Sequence, residues 1–282
     1  MRTRILGVMG AVCLAASGAA QAGAIYLTGH DVLLHSGQRG YDGVILDFLR
    51  GSTPRSSYSI SVVGSGAGFA SFTGGSGFTG MASGSAITTG TASSFSSVKY
   101  FKTGTSADWN TILAADALVL LSHTSCGGCD LSTAGSGEVN SHAADIASRF
   151  NAGMDIWANS GARLATYYDF LPPGATSTGA SISGSSGFTA TADGTAIGIT
   201  STMINGFATH NRFPTFAPAF TVFETRGSED ISIGIKDAVI GGGGITTPPP
   251  GGTPSVPEPG TVALLGLGAF LLAWSRRRMA RH

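Results

Sequence analysis

Three consecutive segments constrain this chain more than any other feature. "ALVLLSH" (117–123) is a continuous apolar run of the kind that fills a central parallel strand. "EVNSHAADIASRFNAG" (138–153) follows with Val139, Ala143, Ile146, Ala147 and Phe150 on one helical face and Gly153 as a stop. "MDIWANSG" (154–161) then returns as a strand running into a tight turn. A strand, a helix and a strand in that order demand a right-handed crossover and parallel pairing. The same alternation is legible upstream. "AIYLTG" (24–29) reads as a buried strand, and "YDGVILDFLRG" (41–51) as a helix with Asp42 as cap and Gly51 as stop. "SYSISVV" (57–63) and "SVKYF" (97–101) read as strands, and "ADWNTILAA" (107–115) as a helix. The expected fold is α/β, a parallel sheet with helices on both faces. Two Gly/Ser/Thr-rich stretches, 64–97 and 174–194, read as loops or hairpins inserted in that frame.

The ends of the chain do not belong to this fold. "MRTR", then "ILGVMGAVCLAA", then "AQA" ending at Ala22 form a positively charged, apolar and small-residue series, a signal peptide (1–22) cut after Ala22 by signal peptidase. The expected α/β domain covers 23–240, and "GGGGITTPPPGGTPS" forms a Gly/Pro linker at 241–255. In the remaining segment, 256–282, Pro257, Glu258 and Pro259 precede an uncharged run from Thr261 to Trp274, closed by Arg276, Arg277 and Arg278. As a helix that run is about 21 Å long at ~1.5 Å per residue, short against a hydrocarbon core of ~30 Å. Its arginines hold it with the cytoplasmic side behind it and the rest of the chain outside. One C-terminal transmembrane helix is expected here.

Setting aside Arg2, Arg4, Glu258, Arg276, Arg277, Arg278 and Arg281 at the two ends leaves the body with about five more acidic than basic residues. Nothing is left to track a phosphate backbone, so nucleic acid is excluded as a partner. Candidate chemistry falls on the loops after strands, where an open α/β sheet binds its ligands. His30 and Asp31 follow the first strand, and His123, Cys126 and Cys129 follow the central one. Asn159 and Ser160 enter the turn at 158–161, and His210 and Asn211 lie in the second half. Cys126 and Cys129, two residues apart among glycines in an exported chain, read as a small disulfide ring. A redox pair and a zinc site completed by His123 with Asp130 or His30 are the alternatives, and no metal and no cofactor is expected.

Two resemblances sharpen these readings. Val256-Pro257-Glu258-Pro259, the Gly/Leu-rich span and the arginine cluster closely resemble the PEP-CTERM sorting domain of Gram-negative bacteria, a tail also labelled as an ice-binding-protein C-terminal domain. That resemblance implies exosortase as processing partner, passage through or anchoring in the inner membrane, and delivery to the cell surface or biofilm matrix. The body resembles the class I glutamine amidotransferase-like group of flavodoxin-like folds through "DIWANSGARLATYYDFLPPG". This implies Ser160 (or Asn159) at the nucleophile position and His210 as its base. The family sets Cys between glycines, where this chain has Trp157-Ala158-Asn159-Ser160-Gly161, and the acidic residue after the histidine is absent. The bland reading makes Asn159–Gly161 a capped tight turn. The favoured expectation is an exported, non-catalytic surface or matrix protein binding exopolysaccharide or a small ligand. An exported hydrolase using Ser160 and His210 is the alternative.

Overall fold

The structure is a computed structural model that describes residues 22–33, 40–65, 94–104, 108–123, 131–161, 164–206, 208–236, 239–241 and 244–246. All of these fall in one compact unit, Ala20–Pro248; the second unit, Met1–Ala19 with Pro249–His282, lies outside the described residues, and with it the expected transmembrane helix. Among the described residues no helix is long and apolar enough to cross a membrane.

The parallel frame forms where the apolar runs place it. β1 (Ile25–Thr28) leads to α1 (Tyr41–Arg50), β2 (Ser59–Gly64), β3 (Ser97–Lys102), α2 (Trp109–Ile112) and β4 (Ala117–Leu120). The chain continues through α3 (Thr133–Ser141) and α4 (Ala143–Asn151) to β5 (Asp155–Ala158). β1, β4 and β5 are buried at every position, as strands covered on both faces must be. Their side chains, Tyr26 and Trp157 among them, join Phe150 of α4 in one core. α1 carries the chain across the sheet in one direction and α2, α3 and α4 carry it back, so right-handed crossovers set them on opposite faces.

The second half departs from the expectation. β6 (Ser177–Gly184), β7 (Thr189–Ala190), α5 (Ala192–Ala196) and α6 (Ser201–Ile204) precede β8 (Thr209–Phe216), β9 (Thr221–Arg226) and β10 (Glu229–Ile235). The main sheet has eight strands in the order β3-β2-β4-β5-β1-β10-β9-β7, and β10, β9 and β7 join antiparallel to β1. The sheet is therefore mixed, not wholly parallel. β6 pairs antiparallel with β8, not with a local hairpin partner. β11 (Val239–Gly241) and β12 (Gly244–Thr246) pair as a short hairpin at the start of the segment read as linker. The parallel strands run in the order β3-β2-β4-β5-β1, with the chain's first strand beside its fifth, which differs from the expected flavodoxin order 2-1-3-4-5.

Helix boundaries also move. The segment read as one helix from 138 starts at Thr133, because the Ser132 side chain accepts from Gly135 N at 3.0 Å and caps it early. It breaks at His142, whose φ of −100° and ψ of 14° leave the helical region. Asp42 does not cap α1: the N-cap is Gly40, with no side-chain cap bond, and Asp42 is buried in the first turn. Gly51 at φ 55° and Gly153 at φ 104° do end α1 and α4, a backbone that favours glycine.

β9 and β10 carry the feature that shapes the interior. Glu224 pairs with Ser232 and Val222 with Ile233, so β9 holds one residue more than its partner across this step. The resulting bulge turns two consecutive side chains to one side. The Phe223 ring stacks on Tyr26 at 5.5 Å, and the Tyr26 hydroxyl donates to Glu224 Oε1 at 3.0 Å.

Candidate functional site at the carboxyl edge of the sheet

β1 delivers His30 into a closed polar network. The ring Nδ1 lies 2.7 Å from Thr209 Oγ1 and Nε2 lies 2.8 Å from Glu224 Oε2. Glu224 Oε1 also accepts from the Tyr26 and Tyr41 hydroxyls. Ser232 Oγ donates to Thr28 Oγ1 at 2.9 Å, and that oxygen accepts His30 N at 3.2 Å. His30, Thr28, Thr209, Glu224, Ser232, Tyr26 and Tyr41 are all fully or almost fully buried. Burial first, and the Glu224 charge second, hold both tyrosine hydroxyls well above the usual tyrosine range, so they serve as neutral donors. The ring thus bridges the Glu224 carboxyl group and the Thr209 hydroxyl, one at each nitrogen. The network ties β1 and α1 to β8, β9 and β10, joining the parallel and antiparallel halves. His30, expected at an open ligand edge, is instead sealed inside it.

The turn after β5 forms the second part of the site. Asn159 N and Nδ2 both donate to Leu120 O, at 3.2 and 2.8 Å. Ser160 O accepts His123 N at 2.8 Å. Tyr168 spans the turn: its hydroxyl donates to Asn159 O and accepts Gly161 N, both at 3.1 Å. A side chain at position 161 would come within 2.4 Å of the Tyr167 ring, so glycine is required there. Asn159 and Ser160 are fully buried. Asn211 reaches the same place from β8, for a Cβ on Gly179 would sit 2.3 Å from Asn211 Oδ1 and 3.0 Å from the Tyr168 ring. Gly29 O accepts His210 N at 3.0 Å and Asn211 N at 3.2 Å, which anchors β8 against the end of β1. Asn159 Oδ1 and Asn211 Oδ1 are buried with no hydrogen-bond partner among the described residues.

The structure thus gathers His30, Asn159, Ser160 and Asn211 at one edge. Asp31, fully buried, donates its N–H to Ala208 O at 2.8 Å beside them. Two other candidates are His210 and His123. Along β8 the buried positions are Thr209, Asn211 and Phe213, and Phe213 packs on Tyr168 at 5.5 Å. Alternation puts His210 on the other side, with Arg212, which pairs with Glu229 at 2.7 Å. His123 Nε2 lies 3.0 Å from Thr133 Oγ1 in the first turn of α3. Cys126 and Cys129 lie outside the described residues. Among the described residues no group of three His, Cys, Asp or Glu side chains is placed to hold a metal ion. Sequence reasoning missed Glu224, Tyr168 and Thr209; only the "TYYDF" run at 166–170 offered a signal, as an aromatic cluster directly after the turn.

The comparisons with known proteins bear on the tail. Residues 255–278 match the PEP-CTERM protein-sorting motif. The matched stretch contains Pro257, Glu258, Pro259 and the three arginines Arg276, Arg277 and Arg278. The motif implies an exported chain, exosortase as its processing partner and a membrane-anchored step before release at the surface. No curated protein and no solved structure matches the chain.

Proposed function

We propose that this chain is an exported surface or matrix protein, cut after Ala22 by signal peptidase and sorted by exosortase, whose α/β domain binds rather than reacts. The PEP-CTERM match at 255–278 is the observation that carries the proposal. The non-catalytic part is supported by the edge itself. Ser160 is fully buried, and His210 sits on the opposite side of β8 from the residues that meet the Ser160 turn. A nucleophile needs its base within hydrogen-bond reach. Two buried amide oxygens, on Asn159 and Asn211, instead suit a small polyhydroxylated ligand such as a unit of an exopolysaccharide, which offers hydroxyl donors. After export Cys126 and Cys129 close a disulfide ring, so a thiol count on denatured protein finds none free.

The test is fractionation of an exosortase-containing host expressing the full chain. The parent reaches the surface or medium, while a Pro257→Ala/Glu258→Ala/Pro259→Ala variant stays with the membrane. Equal release of both refutes sorting through this motif. An esterase and amidase screen of the released protein beside Ser160→Ala tests the second half, and activity lost in Ser160→Ala overturns the non-catalytic reading.

A further inference from the structure

The opposite, amino-terminal edge of the sheet holds a feature that the sorting reading does not use. A cavity of about 410 Å3 opens there, lined by Ala22, Ala24, Tyr58, Asp116, Asp155 and Lys236 among others. Asp155 is its buried charge. Its Oδ1 accepts Ala24 N at 2.5 Å, and its Oδ2 accepts the Tyr58 hydroxyl. Gly23 N donates to Phe150 O at 2.9 Å. A Cβ on Gly23 would sit 2.0 Å from Met154 O, so only glycine can lie this close to the start of β5. Ala22 is 7% exposed and lines the same cavity.

We propose that the α-ammonium group of Gly23, freed when the leader is removed after Ala22, seats in this cavity and pairs with Asp155. The proposal rests on the cleavage position given above. Hydrolysis of the Ala22–Gly23 amide consumes one water and leaves a carboxylate on Ala22, which departs, and an ammonium on Gly23, which stays. Before the cut Gly23 has one N–H, already given to Phe150 O. Afterwards it has three hydrogens and a positive charge. Bonded geometry keeps consecutive backbone nitrogens within about 3.6 Å, so the new ammonium lies within about 6 Å of the carboxylate that Ala24 N already touches. An opposite charge at that range favours the ionised form of both groups. In the uncut chain burial pushes Asp155 up to about 7, against the opposing bonds from Tyr58 and Ala24 and the charge of Lys236, so the carboxyl is undercompensated until processing supplies a second positive charge. The other groups facing Asp155 are Arg50 at the end of α1, Asp116 at the start of β4 and Lys236 after β10. Asp116 is committed to Ser59, accepting its N at 2.7 Å and its Oγ at 2.6 Å. Leader removal therefore finishes the amino-terminal edge and favours the folded state only in a chain that has crossed the membrane.

The experiment uses the full exported chain, its first residue identified by intact mass and terminal sequencing. The α-amine is titrated by its acetylation rate against pH. The expected midpoint is about one unit above the usual ~7.7–8.0 for an α-amino group, and it returns to that range in Asp155→Asn. Two alanines inserted between Ala22 and Gly23 move the amine about 7 Å away. This extension lowers Tm by as much as Asp155→Asn, and the two changes together cost no more than either alone. An α-amine at its usual value in the parent, or fully additive losses, overturns the ion pair while leaving the cleavage position intact. A first residue other than Gly23 overturns the cleavage position and the pair with it. Should Asp155→Asn not fold, the parent and extended chains still decide through the amine titration.

Discussion

Truncating Glu224 to alanine tests whether the buried network holds the two halves of the sheet together. The carboxylate accepts His30 Nε2 at 2.8 Å, the Tyr26 hydroxyl at 3.0 Å and the Tyr41 hydroxyl, all away from solvent. After Glu224→Ala the two tyrosines keep each other at 3.0 Å and Tyr41 keeps Ser232 at 3.3 Å. The His30 Nε2 loses the carboxylate it faces, at about 1–3 kcal/mol. Adding the cavity left by the truncated acid side chain brings the cost to about 3–5 kcal/mol. For a domain of this size that is a fall in Tm of about 6–20 °C. Glu224→Gln keeps the shape and one accepting oxygen for the tyrosines, and the ring can turn its tautomer to face the new amide. Its cost is about 1–2 kcal/mol. Thermal unfolding of the exported protein followed by circular dichroism separates the two. If alanine and glutamine variants both melt within about 2 °C of the parent, the network is not what joins β1 and α1 to β8, β9 and β10.

Three further outcomes follow from the geometry. In a chain that retains residues before Gly23, Asp155 binds its proton more tightly folded than unfolded, so stability is greatest below about pH 4 and declines as pH rises to about 7, by at most about 4 kcal/mol. Denaturant titrations across that window show the slope, Asp155→Asn abolishes it, and the processed chain flattens it. Gly29→Ala would set a methyl 1.9 Å from Asn211 O, and because the obstacle is backbone the loss is at least about 2 kcal/mol, read as Tm with lost hydrogen-exchange protection in β8. Tyr168→Phe strips the hydroxyl from Asn159 O and Gly161 N, costs about 1–3 kcal/mol by chemical denaturation, and leaves the His30 network's exchange protection unchanged.

The centre of the parallel frame was legible because β4 and most of β1 and β5 are apolar without interruption, a pattern a doubly covered strand needs. His30, Asp31, Asn159 and Ser160 stand where those runs end, so the edge they form could be named in advance. The antiparallel addition could not. "TVFETRGSED" at 221–230 reads as a polar, charged segment, and nothing local reveals that a bulge swings Glu224 inward beside Phe223. Ser177–Gly184 is nearly free of large apolar residues, and its partner β8 begins at Thr209, so no hairpin signal links them. Alternation along β8 was similarly hidden, and it is what buries Thr209, Asn211 and Phe213. Asp155 looked like the polar start of a strand; its burial depends on Tyr58 and Ala24, both distant in the chain.

The place of β1 between β5 and β10 has a kinetic consequence. A polypeptide threaded outward from its amino end presents this strand first, yet neither of its neighbours exists until residues 155–158 and 229–235 have also emerged. The earliest segment to arrive waits for β5 before it finds a first partner and for β10 before it finds its second. Such long-range closure is slow, and slowness of this kind keeps a translocating chain loose until nearly all of it is through.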